Sequence, residues 1–538
     1  MSFADAHGDT VPGQQQTEID FQPYLQSLIA NEKYQQRWGF YTPTDAIGKI
    51  QPPQASPGLD IGLMVQLLQP KQREDEPGSA QEEPEQEEKE KIERLPVLEG
   101  IRKYAAEHVL LMGRPGSGKS TALVRLLVEE ARQALEKPST PIPVLVELRY
   151  LDAAQPSVLE RIAAFLLSHN LALEADRCKA ALAAGRLLLL VDGVNELPSE
   201  AARRAIARFR QDYPQTPMVF TTRDIALGGD LGIAKKLEMQ PLSEAQMRQF
   251  VRAYLPEQGE PMLRQLQGRL REVGQTPLLL WMLCQVFQGL QRIPESLGLL
   301  FRWFAGEYDK LKRDVPVSEG LRHWQGDLLQ HLAFTMMQGE ELTELRVAIA
   351  RSEAEAVLAA FLQGKVDYPA QRAKEWLEDL LEHHLLQPIG QNQLEFHHQL
   401  LQDYYAAEYL YKVLPDLADE QLKRDYLNYL KWTEPINLML SLVEEKNQAL
   451  RVVHLALDVD LALGARLAGK AKSIFQRKTI ELICSLDLPV KTKLFWLSIT
   501  QSRFAVYAIL RICDQHKISP ESYDDTSKNP TDVIGRNR

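Results

Sequence analysis

The run Gly113-Arg114-Pro115-Gly116-Ser117-Gly118-Lys119-Ser120-Thr121 is where residue types and spacing most clearly carry chemistry. It fits G-x-x-x-x-G-K-[ST] through Gly113, Gly118, Lys119 and Ser120. Glycines let a backbone approach a phosphate without a Cβ in the way, and successive N–H groups leading into a helix surround the anion. Lys119 then supplies charge to the terminal phosphates, and the Ser120 hydroxyl is placed for Mg²⁺. The expected ligand is ATP or ADP with Mg²⁺.

A phosphate loop needs a carboxylate for the metal and a group to orient attacking water. The stretch LLLLVDGVNELP offers both: Asp192 ends an apolar run, and Glu196 follows one short turn later, suited to a general base. Asn195 precedes Glu196 and can neither act as a base nor give charge to a metal. Further on, VFTTRD ends an apolar run in Arg223-Asp224. Arg223 has two readings, a sensor of the terminal phosphate or a surface cation paired with Asp224.

These residues need a scaffold, and the pattern supplies one. Apolar runs at Val109–Met112, Ile142–Leu148, Leu187–Val191, Met218–Thr221 and Leu237–Leu242 alternate with helical stretches such as Val158–Ser168 and Glu200–Gln211. Near-continuous apolar strands between helices predict a parallel sheet covered on both faces, over about 96–245. From there the sequence turns helical. A unit between about 374 and 413 reads as helix, hairpin around Gly390-Gln391-Asn392, and helix, a winged-helix-like module, and residues to about 517 carry helical apolar stripes.

Before the sheet, residues 1–70 read as a small helical segment with Phe21, Tyr24, Leu25, Leu28 and Ile29 at helical spacing. REDEPGSAQEEPEQEEKEK then reads as a solvated acidic linker within about 71–95, and residues 518–538 as a disordered tail. With 62 Lys+Arg against 73 Asp+Glu, the net charge of -11 argues against a general nucleic-acid surface. The four cysteines stand far apart with no CxxC pair, and no long uncharged apolar run is present, so a cytoplasmic chain without a membrane span is expected. His383-His384 and His397-His398 lack cysteine neighbours and point apart within any regular element, which disfavours zinc.

In order, the phosphate loop, LLLLVDGVNELP and VFTTRD resemble the NACHT family of the STAND class of signalling ATPases. MQPLSEAQMRQFVRAYL is similar to that family's strand-to-helix passage, and Gly274-Gln275-Thr276-Pro277 to its GxP motif, with two residues between glycine and proline where the family has one. FHHQLLQDYYAA, from Phe396 to Ala407, resembles the family's run in its winged helix, and LPVLEGIRKYAAEHVLLMGRPGSGKST resembles bacterial, particularly cyanobacterial, members.

The resemblance covers about residues 96–412 and implies an ASCE/STAND-type α/β P-loop NTPase domain (96–245), a helical domain (246–310), a winged-helix domain (311–413) and an all-α C-terminal region (414–517). By the same resemblance Pro277 packs on adenine, and His398 reaches the β-phosphate of ADP in a closed state. It further implies a switch, closed with ADP and self-associating with ATP, whose trigger acts through the C-terminal helices, and slow turnover, since Asn195 stands where the family's Asp-Gly-x-Asp-Glu motif carries its second Asp. Two other classes stay open: a scaffold with a structural nucleotide, and a P-loop phosphotransferase or hydrolase of another family. No guanine-reading Asn-Lys-x-Asp run and no SGGQ transporter signature occur.

Overall fold

The computed structural model describes residues 19–31, 34, 62–68, 93–151, 156–197, 199–223, 231–266, 276–311, 317–339, 345–382, 385–389, 392–396 and 398–517. The acidic run, the C-terminal tail, Asp224, Gly274, Gln275, His383, His384 and His397 lie outside them.

Helix α1 (Gln22–Ala30) buries Tyr24, Leu25 and Leu28 against the first domain. Strands β1 (Met64–Leu68) and β2 (Arg94–Pro96) follow, then helix α2 (Val97–Tyr104) and strand β3 (Val109–Met112). The glycine-rich loop leads into α3 (Lys119–Glu136), after which come β4 (Ile142–Glu147), α4 (Val158–Ser168), α5 (Ala175–Ala183), β5 (Leu187–Asp192), α6 (Glu200–Asp212), β6 (Met218–Thr222) and β7 (Lys235–Met239). The sheet order is β2-β1-β7-β3-β6-β5-β4.

From β7 through β4 the pairing is parallel, and the central strands are buried along their whole length, as apolar runs without alternation require. The expected all-parallel sheet is corrected at one edge. There β1 runs antiparallel to both β7 and β2, with Val65 opposite Met239 and Leu95. MVQLL is too short to distinguish from a loop by periodicity, and only its tertiary partners make it a strand. The last strand also lies earlier than the apolar pattern indicates, because Leu242 belongs to the core of the second body.

That body starts at α7 (Glu244–Tyr254), whose Ser243 and Gln246 form a reciprocal capping box. It continues through α8 (Gly259–Leu266), α9 (Pro277–Leu290), α10 (Leu297–Leu311), α11 (Leu321–Gln338), β8 (Ala348–Ala350), α12 (Arg351–Leu362) and α13 (Pro369–Glu382). Strands β9 (Leu386–Ile389) and β10 (Gln393–Phe396) precede α14 (Gln399–Val413), and β10 lies between β8 and β9 in a small antiparallel sheet. Helices α15 (Thr433–Leu442), α16 (Lys446–Val459), α17 (Leu461–Ala468), α18 (Ser473–Ser485), α19 (Val490–Ile499) and α20 (Arg503–His516) complete it.

Buried apolar residues fall into two clusters, one spanning Phe21 to Met239 and the other Leu242 to Cys513. The helical, small-sheet and C-terminal parts therefore share one core.

Candidate nucleotide site

The site is built where β3, β5 and β6 end. Gly113 extends the β3 ladder by donating its N–H to the Thr222 carbonyl (3.3 Å), and the chain then turns through the loop into α3. Gly118 caps that helix with φ +95°, a conformation that disfavours any side chain, and a Cβ there would stand 2.8 Å from Leu63 Cδ1. No side chain caps α3, so its first N–H groups have neither intrahelical partners nor a side-chain acceptor. Ser117 Oγ is also buried without a partner. A backbone arranged in this way fits a phosphate group.

Lys119 Nζ donates to the carbonyls of Gly113 (2.7 Å) and Arg114 (3.1 Å), which holds it folded over the loop. Burial, with Arg223 nearby, lowers its pKa to about 8 against the pull of Asp192, Glu196 and Glu434. Ser120 is exposed at the start of the helix, and Pro115, Gly116 and Thr121 are half-buried around it.

Thr221 Oγ1 on β6 donates to Asp192 Oδ1 on β5 and accepts the Gly193 N–H (2.9 Å), locking the two strand ends together. Gly193 turns the chain at φ +88°, so that the Glu196 carboxylate folds back to 3.0 Å from where a Cβ would be. Burial raises the Glu196 carboxyl above its ordinary range, outweighing the nearby Arg149 guanidinium. Asp192, Glu196, Lys119 and Ser120 thus meet at one end of the sheet, and their oxygen donors suit Mg²⁺.

Arg223 leaves the tip of β6. Its N–H donates to Asn195 Oδ1 (2.9 Å), giving that asparagine a positioning task. The guanidinium crosses to the second body, where Nη1 pairs with Asp403 Oδ2 (2.9 Å) and Nη2 donates to Gln399 Oε1 (2.7 Å), both on α14. Arg223 is 17% exposed and Asp403 2%, so the pair is largely dry. Stripping water from Asp403 costs more than Arg223 returns, and its carboxyl is pushed up to about 6. A second bridge joins Tyr150 Oη to Glu395 on β10 at 3.1 and 3.3 Å, with Arg149 Nη1 3.9 Å from the same carboxylate.

His398 caps α14, where its Nδ1 accepts the Leu400 N–H (3.0 Å), so the neutral ring carries its proton on Nε2. Pro277 is the first residue of α9, a position that suits a residue lacking an N–H. Beside it Leu278 N–H reaches the Gly116 carbonyl at 3.5 Å, and Leu63 approaches the loop at Gly118.

Residues 107–258 match the family model of the NACHT domain. This segment is a NACHT domain. A comparison with curated proteins finds no match. Among solved structures, a STAND protein with a tetratricopeptide repeat sensor from Pyrococcus horikoshii is similar at 13% identity and a TM-score of 0.30, covering 82% of this chain and 69% of that one. The Aeropyrum pernix ORC1 protein, solved in complex with DNA, is similar at 15% identity and a TM-score of 0.30, over 58% of this chain and 91% of that one.

The NACHT domain's chemistry-bearing residues thus meet at the ends of the central strands, with Pro277 at the loop and Gln399, next to His398, on Arg223. Sequence reasoning missed Arg149, Tyr150, Glu395, Asp403 and Leu63. Asp403 lies within the FHHQLLQDYYAA run, where nothing local sets it apart from its neighbours, and Arg149 lies two residues past the end of β4, where site residues gather. Nothing local marks Leu63.

Proposed function

We propose that this chain is an ATP- and ADP-binding signalling NTPase that uses the nucleotide to control its shape. It is closed with ADP, open and self-associating with ATP, and slow in hydrolysis. One observation supports this most: Arg223, at the strand end beside the phosphate loop, is committed to Asp403 and Gln399 of the second body. A cation suited to a terminal phosphate here also holds two bodies together, so nucleotide and closure draw on the same group.

In this reading Lys119 and the α3 N-terminus hold the phosphates, Ser120 and Asp192 hold Mg²⁺, and Glu196 acts as general base. Arg223 is the sensor, Pro277 and Leu63 cover the base, and His398 offers its Nε2 proton to the diphosphate. Bound Mg²⁺ would offset phosphate charge and orient the terminal group. Glu196, whose basicity burial raises, suits proton abstraction, while neutral Asn195 beside it keeps turnover slow. We read the small sheet with α13 and α14 as a winged-helix module and the C-terminal helices as the surface for a protein or ligand trigger. Free thiols at Cys178, Cys284, Cys484 and Cys513 fit a cytoplasmic setting. Among the described residues no helix is long and apolar enough to cross a membrane.

The test is to identify the nucleotide carried by purified protein and then measure turnover and sedimentation with ATP and with ADP. ADP retained by the parent, lost from Lys119→Ala, and a higher mass with ATP are expected. Equal nucleotide binding by Lys119→Ala would refute the site, and unchanged mass with negligible turnover would favour a scaffold.

A further inference from the structure

Strand β4 is the outermost described strand at its end of the large sheet, and α4 packs against it. The N-terminal segment closes in from the side: Tyr24 Oη on α1 donates to the Pro143 carbonyl of β4 (2.6 Å). Among these three pieces lies a cavity of about 290 Å³, lined chiefly by Tyr34, Glu147, Arg161, Ala164, Phe165 and His169. It shares no residue with the nucleotide site.

Its walls are fixed. His169 Nδ1 donates to the Phe165 carbonyl (3.0 Å), which leaves Nε2 to accept from Tyr34 Oη (3.3 Å). The Tyr34 ring stacks on that imidazole, with centroids 5.7 Å apart and planes 18° from parallel. Glu147 is already engaged, because Arg149 Nη2 holds its carboxylate at 2.8 Å. Arg161 differs. It is half-buried, its guanidinium makes no hydrogen bond or ion pair with any described residue, and Nε is buried without an acceptor. It stands 5.5 Å from the centre of the Tyr150 ring, whose hydroxyl bridges to Glu395. A buried cationic donor without an acceptor is costly and points to a partner from outside the chain.

We propose that this cavity binds a small planar organic anion, a single ring carrying a carboxylate or a phosphate, with Arg161 as its counter-ion. The guanidinium fork matches either anionic head, and the Tyr34 and Phe165 rings offer apolar surface to the body of the ligand. The volume lies at the lower end of the roughly 300–1,000 Å³ usual for ligand pockets, which suits one ring and not a whole nucleotide. Through Tyr150 the bound anion lies one residue from the bridge to the second body. The inference is independent of the nucleotide-switch reading.

The test titrates benzoate and phenyl phosphate into the full chain, with binding followed by ligand-observed NMR and calorimetry, for the parent, Arg161→Gln, Ala164→Phe and Lys119→Ala. Ala164 is exposed at the cavity, so a phenyl group there fills the space and leaves the cation in place. Saturable binding of at least one probe to the parent is expected, weakened roughly tenfold or more in Arg161→Gln and in Ala164→Phe and unchanged in Lys119→Ala. Benzoate alone would assign a carboxylate ligand, and phenyl phosphate alone a phosphate. Failure of both probes to bind the parent overturns the proposal, as does parental affinity in Arg161→Gln. Binding lost in Lys119→Ala overturns it too, since the probe then sits on the phosphate loop. Should Arg161→Gln fail to fold by thermal melting, Ala164→Phe decides, and parental affinity there refutes the site.

Discussion

Lys119 titrates near 8 because burial and Arg223 oppose its charge, yet only the charged form serves a phosphate. Phosphate binding restores the proton, so above that pH binding takes one up. Affinity for ADP should fall as pH rises from about 7 to about 9, with proton uptake visible in calorimetry across buffers of different ionisation enthalpy. A flat profile would detach Lys119 from the phosphates. Asp403 behaves in the opposite sense from an ordinary ion-paired carboxylate. Its folded pKa, about 6, lies above the unfolded value, so the folded chain binds more protons between the two. The stability it contributes is fully present below the unfolded pKa and is lost as pH rises through about 6, at most roughly 1.4 kcal/mol per pH unit. Asp403→Asn should abolish that slope in urea titrations. It should also destabilise at neutral pH, toward the lower end of roughly 3–5 kcal/mol, because Gln399 still partners Arg223.

At the level of elements, the bend from β3 into α3 depends on Gly118. Gly118→Ala meets a left-handed φ, costing roughly 1–2 kcal/mol, together with the Leu63 side chain, and nucleotide affinity should fall with the melting temperature. Equal affinity would mean the loop reshapes on binding. The elements around this loop were legible because their signals are local: VLLM, LLLLVD and MVFTT are buried strands whose apolar runs need no context. Strands β1 and β2 were not legible, since Met64–Leu68 is a strand by virtue of Met239 and its neighbours far along the chain, and Arg94–Pro96 by virtue of β1. The site shows the same division. Motif residues declare themselves by spacing, whereas Glu395 and Asp403 acquire meaning only when β10 and α14 are brought against the first domain.

Across the whole molecule, two apolar cores meet in a seam carrying Arg223–Asp403, Arg223–Gln399, Tyr150–Glu395 and Arg114–Gln501. Polar seams between domains separate at lower cost than shared cores, so urea unfolding monitored by circular dichroism should resolve two transitions. Combining Arg223→Ala with Tyr150→Phe should move them further apart, and one unchanged cooperative transition would show that the seam couples the bodies fully. The sheet edge carries a different consequence. Because β1 and β2 are neighbours, residues 69–92 connect two strands of one sheet, and β1 is hydrogen-bonded on both sides. A protease cut within the acidic run would leave β1 clasped between β2 and β7. The nicked protein should migrate as one species on a native gel and fall into two pieces only in denaturant, as a split protein held by strand complementation does.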